Sequence, residues 1–177
     1  FRSGMLAERQ GGVFLGDVDL NRGSVQSAAY RRLWRGLIAA VSASAGVVRH
    51  FGPSPNVPIY ERYFMGGANS VRGYRERDIG PKDSLGNPLG ANVFSRASLE
   101  LRFPVYKRFG AALFLDGGQV DVHQSRVQPS SWKWGAGPGL RLRTPVGPLR
   151  LDFGYKLNAD PGARSFWTFH LSLGEAF

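Results

Sequence analysis

Cysteine is absent from the 177-residue chain, which excludes disulfide scaffolds, thiolate zinc sites and cysteine nucleophiles. Histidine is scarce: His50, His123 and His170 stand far apart and form no H-E-x-x-H arrangement, so a metal hydrolase is not indicated. No uninterrupted apolar run exceeds the five residues of Leu37–Val41, far short of the roughly 18 that a spanning helix needs. No leader-like segment opens the chain, and it begins with Phe1 rather than Met, so a fragment of a longer protein is expected. Acidic residues are also few, 13 against 23 Lys plus Arg, for a formal charge of +10. Arg far outnumbers Lys, which favours fixed bidentate pairing over generic solubility. A basic balance suits nucleic acid, acidic lipid headgroups or a positively lined cavity, and does not choose among them. With 42% hydrophobic residues the chain is too apolar for disorder, and its length suits one domain. A soluble β-rich domain and a membrane β-barrel stay open.

What is present is period-2 alternation. In Asn92–Pro104, Val93, Ala97, Leu99, Leu101 and Phe103 share one face with Ser95, and Arg96, Ser98, Glu100 and Arg102 share the other. The same pattern predicts strands over Gly36–Arg49, Arg108–Val120, Ser131–Arg143, Gly147–Leu157 and Ser165–Phe177. Two weaker strands, with mixed faces, are predicted over Gly11–Leu20 and Ser24–Leu33. Short connections after residues 33, 104 and 143 alternate with long ones, the longest running over 51–91. Barrels of the outer membrane alternate short periplasmic turns with long outer loops in this way. Strands of 10–13 residues suit a tilted crossing of the bilayer.

Alternation alone does not say which face is inside. A soluble sandwich or lipocalin-like barrel turns the same apolar rows inward. Two features favour the membrane. The polar faces, rich in Arg, Glu, Asp, Ser and Gly, suit a wet lumen, and the chain ends, aromatic last, at the very end of an alternating strand. Trp132, Trp134, Tyr155, Trp167 and Phe177 also sit near strand ends, as an aromatic girdle does.

The long connection carries Phe64–Tyr74, FMGGANSVRGY. Gly66, Gly67 and Gly73 allow sharp backbone turns on either side of Arg72. In a lumen the Arg72 fork needs a fixed acceptor, and Glu100 and Asp116 are candidates because both lie on polar strand faces. The competing reading is an exposed loop with a solvated Arg. Glu100, Asp116 and Asp152 could form an acidic catalytic group, but Arg72, Arg96, Arg102 and Arg150 nearby favour structural ion pairs. Gly135, Gly137 and Gly139 lack the helix and the Lys-Ser/Thr of a nucleotide loop, and no G-x-S-x-G elbow occurs. Arg31-Arg32 and the group Arg72, Arg75 and Arg77 could suggest nucleic acid, but in a barrel they more simply sit in the lumen or near lipopolysaccharide phosphates, so nucleic acid is not expected.

The segment Phe64–Tyr74 resembles the loop signature of the BamA/TamA superfamily of outer-membrane proteins. Further similar segments follow in family order: Ile79–Pro81, Gly86–Gly90, Leu99–Pro104, Phe114–Gly118, Gly137–Arg141 with Thr144–Asp152, and Phe169–Phe177. The likeness covers about residues 58–177. It implies an all-β, antiparallel transmembrane β-barrel in the bacterial outer membrane. Residues 1–177 would be the C-terminal eight strands of a sixteen-stranded barrel, with 51–91 an extracellular loop directed into the lumen and periplasmic domains outside the fragment.

Family roles map onto the loop latch Arg72, Gly73 and Tyr74 and its wall partners Glu100 and Asp116. They also map onto a seam and C-terminal signal at Phe169, Leu171, Leu173, Gly174 and Phe177. The implied function is non-enzymatic assembly or translocation of client proteins through a lateral seam, with no cofactor and no metal. Implied partners are unfolded outer-membrane or secreted clients, outer-membrane lipids and lipopolysaccharide, and periplasmic accessory proteins. A passive transporter of the two-partner secretion kind and a barrel anchoring a lipase-like domain are the rival expectations.

Overall fold

The computed structural model describes residues 2–10, 20–34, 36–51, 56–123, 128–145, 147–160 and 165–174. Eight strands form one sheet: β1 (Arg2–Gln10), β2 (Leu20–Arg32), β3 (Ile38–His50), β4 (Val93–Tyr106), β5 (Phe109–Asp121), β6 (Lys133–Thr144), β7 (Gly147–Lys156) and β8 (Trp167–Leu173). Each pairs antiparallel with the next, in unbroken order from β1 to β8. Among the described residues β1 and β8 are the two edges. Tight turns close β2–β3, β4–β5 and β6–β7 at one end, and the second of these places Lys107 at φ 47°.

The six strongly alternating segments correspond to β3–β8, and Ser24–Leu33 falls within β2. Of the strand expected over Gly11–Leu20, residues 11–19 lie outside the described residues and Leu20 opens β2. The first strand lies earlier, at Arg2–Gln10, where neither face is clean. Its pairing with β2, from Arg2↔Ala28 to Gln10↔Leu20, supplies what the local pattern lacks.

Polarity is inverted relative to a soluble core. Val41, Leu113, Leu140 and Leu171 are 50%, 52%, 59% and 63% exposed. Glu100, Asp116 and Asp152 on the opposite face are fully buried. Water-soluble proteins do the reverse, whereas a lipid-facing barrel wall has this arrangement. The lipocalin-like alternative is therefore excluded.

What buries the polar face is the long β3–β4 connection. It is ordered by a short 3₁₀ turn at Ile59–Glu61 and by bridges Tyr63↔Ala91 and Met65↔Ile79. Met65, Val71, Tyr74, Ile79 and Ala91 form a small apolar core that packs on Val120 of β5 and Phe94 of β4. The segment is thus a folded plug, positioned by its own hydrophobic contacts before any charge is considered.

Candidate functional site

Arg72 sits at the tip of this plug and is 1% exposed. Its Nε donates to Asp116 Oδ2 at 2.7 Å and its Nη2 to Asp116 Oδ1 at 2.8 Å, a bidentate fork. Nη1 donates to Glu100 Oε2 at 2.5 Å and lies 3.7 Å from Asp152 Oδ2. The Arg72 backbone N–H also donates to Asp116 at 3.0 Å. The Phe114 ring lies under the guanidinium, 3.8 Å from its central carbon. Burial works against the Arg72 charge, but the bonds to Asp116 and Glu100 outweigh it and raise its pKa.

Three wall carboxylates need more than one cation. Arg141 on β6 bridges Asp152 at 2.6 Å and Glu100 at 3.2 Å, and Arg102 on β4 donates to Glu100 at 2.7 Å. The guanidiniums of Arg72, Arg102 and Arg141 thus bridge the carboxylates of Glu100, Asp116 and Asp152. Pairing of this kind offsets the cost of burying charge. Every carboxylate is engaged by a guanidinium, as structural pairing requires and as an acid–base pair does not. Asp116 also accepts from the Ser98 hydroxyl at 2.6 Å.

Arg96 and Arg150, expected among the ion-paired residues, do something else. Both hold Asn69: Arg150 donates to its side-chain Oδ1 at 2.7 Å, and Arg96 to its backbone carbonyl. Arg96 donates in addition to Ser44 of β3 at 2.7 Å. Asn69 and Arg141 are the residues sequence reasoning missed; Arg141 carried a signal, since alternation places it on the polar face of β6.

Close approach of backbone explains several glycines. A Cβ built on Gly154 of β7 would lie 2.4 Å from the Gly73 nitrogen, and one on Gly135 of β6 would lie 2.1 Å from the Arg72 carbonyl oxygen. Gly73 itself adopts φ 124°, a region that favours glycine. The Gly73 carbonyl accepts from Thr168 of β8 at 2.8 Å. Tyr74 is buried, and its hydroxyl donates to the Asn158 carbonyl at 3.1 Å. Burial first, then the negative charges of Asp160 and Asp78, push the Tyr74 phenol up to about 12. Asp78 is raised by burial but lowered more by bonds from Lys82 and Lys156, which leaves it below its ordinary value.

On β8, Phe169, Leu171 and Leu173 point to the exposed apolar face. Gly174 follows the strand at φ 99°, its N–H donating to the Pro148 carbonyl at 2.9 Å. Phe177 lies outside the described residues. Loop and wall meet across β3 to β8; the apolar row of β8 is separate from that meeting.

An inside-out sheet with an arginine-tipped plug on its polar face is the wall of an outer-membrane β-barrel rather than of a soluble receptor. Residues 2–177 match the Omp85 superfamily domain, and the chain belongs to that superfamily and to the bacterial outer membrane. It is 30% identical over 175 residues to the outer membrane protein assembly factor BamA of Nitratidesulfovibrio vulgaris, covering 94% of this chain and 22% of that protein. The BamA of Neisseria meningitidis serogroup B is 25% identical, covering 85% of this chain and 24% of the relative. The crystal structure of Haemophilus ducreyi BamA lacking POTRA domains 1–3 superposes with a TM-score of 0.72 at 22% identity, covering 97% of this chain and 37% of that one. The chain thus spans under a quarter of the length of these two curated relatives. Both of those relatives are outer membrane protein assembly factors.

Proposed function

We propose that this chain is the C-terminal half of a sixteen-stranded barrel in an outer-membrane protein assembly factor. It inserts unfolded client proteins and has no enzymatic activity of its own. Arg72, Gly73 and Tyr74 act as a latch, and Glu100 and Asp116 are its wall partners. β8 acts as the seam strand, with Phe169, Leu171, Leu173, Gly174 and Phe177 forming seam and C-terminal signal. The 51–91 connection enters the lumen from the extracellular side.

The observation that carries this reading is the bond from Thr168 of β8 to the carbonyl of Gly73, next to Arg72. It makes the edge strand and the charge-locked plug one mechanical unit. An unpaired strand edge is a template for a client strand. In lipid each unsatisfied backbone group costs several kcal/mol, so an edge that opens needs an internal strut to return to. Client folding supplies the driving force, without nucleotide.

The test is reconstitution of the full-length protein in liposomes with an unfolded outer-membrane client and no nucleotide. The reading predicts faster acquisition of protease-resistant client, and loss of that gain in Arg72→Ala. A client that folds no faster than in empty liposomes refutes it. Steady conductance together with passage of a dedicated secreted partner would establish the passive transporter instead.

A further inference from the structure

The end of the barrel that carries the tight turns is chemically unlike the rest. Within two residues of the three turns stand Arg31, Arg32, Arg35, Lys107, Arg108 and Arg143, and no Asp or Glu. Arg31, Arg32, Lys107, Arg108 and Arg143 are all exposed. Among the described residues none of these five is paired to a carboxylate. At the opposite end Lys82, Lys133 and Lys156 each hold one, Asp78 or Asp160.

Beside these cations lie exposed aromatic rings: Trp34, Tyr106 and Phe109 are 70%, 63% and 57% exposed. Lys107 Nζ stands 5.0 Å from the centroid of the Tyr106 ring. Just beyond begins the exposed apolar band, with Leu113 on β5 and Leu140 on β6. Rings mark the level of a membrane interface, and long basic side chains reach from there to headgroup phosphates.

We propose that this rim is a binding site for anionic phospholipid headgroups of the phosphatidylglycerol type. The proposal rests on the barrel reading above. In that orientation the tight turns face the periplasm, where the adjoining leaflet is phospholipid rather than lipopolysaccharide. Unpaired guanidiniums supply the complement to phosphate, and no Asp or Glu stands within two residues of the three turns to compete for them. The rim would hold a ring of acidic lipid around a barrel wall whose seam must open, biasing which lipids line the opening.

The experiment reconstitutes the full-length protein in equimolar phosphatidylcholine and phosphatidylglycerol and measures motional restriction of spin-labelled lipids of each headgroup. The wild type should restrict phosphatidylglycerol preferentially, by about fivefold for each cation engaged per lipid. That preference should shrink as salt rises. The combined variant R31Q/R32Q/K107Q/R108Q/R143Q should approach equal restriction, and Lys133→Gln at the other rim should leave the preference intact. If the combined variant fails to insert, the salt dependence of the wild type decides. Equal restriction of both lipids by an inserted wild type, or a preference indifferent to salt, overturns the proposal while leaving client insertion standing. Failure to restrict lipid chains of either headgroup would instead undo the barrel reading.

Discussion

Arg72→Ala removes a guanidinium that makes two bonds to Asp116 at 2.7 and 2.8 Å and one to Glu100 at 2.5 Å, with all three residues buried. Arg102 and Arg141 remain, but neither bonds Asp116. Deleting one partner of a buried ion pair costs about 3–5 kcal/mol, most of it the charge left behind. Set against the docking equilibrium of the plug, that is a fall of roughly two to three and a half orders of magnitude. Amide hydrogen exchange over Met65–Tyr74 in the full-length protein reads it directly, since docked amides exchange through opening. Arg72→Lys keeps the charge but not the fork and should fall between wild type and Ala. Adding Asp116→Asn to Arg72→Ala should restore part of the loss by removing the stranded charge. Unchanged protection in Arg72→Ala would show that the apolar contacts of Met65, Val71 and Ile79 dock the plug unaided.

Gly154→Ala should push the Arg72–Gly73 backbone off the wall, at a cost of about 1–3 kcal/mol for overpacking, read as raised protease sensitivity of the plug with the barrel intact. Thr168→Val should uncouple β8 from the plug, raising exchange in Trp167–Leu173 while the Arg72 contacts persist. Tyr74 should titrate near 12 rather than 10. Its folded pKa is raised, so its contribution is complete below pH 10 and lost as pH rises through 12. Absorbance titration of wild type against Tyr74→Phe checks this, and a single ordinary phenol transition would refute it.

Strands β3–β8 are legible because a wall with lipid on one side and charge on the other imposes strict alternation on them. At β1, where Met5 and Leu6 are adjacent and Glu8, Arg9 and Gln10 run together, no local pattern exists, and only pairing with β2 defines the strand. The convergence of Arg72 with Glu100 and Asp116 is legible for a similar reason: one buried cation needs acceptors, and the polar faces of β4 and β5 offer them. Arg141 reaching from β6 to Glu100 on β4 depends on curvature and stagger across three strands, which no local spacing encodes. The diversion of Arg96 and Arg150 to Asn69 depends on where the plug tip lands. Gly135 and Gly154 read as strand glycines, and their role shows only when the backbone of Arg72 and Gly73 lies against them.

The leucine and phenylalanine rows face hydrocarbon while Arg72 is enclosed. Because the chain has no cysteine, single cysteines for spin labels can be placed without background from this domain. Labels at Leu99, Leu140 and Leu171 in the reconstituted protein should be relaxed strongly by oxygen and weakly by a water-soluble nickel chelate, with the order reversed at the solvent-exposed loop residue Leu85. Strong relaxation of the three strand labels by the nickel chelate would instead place those rows in water.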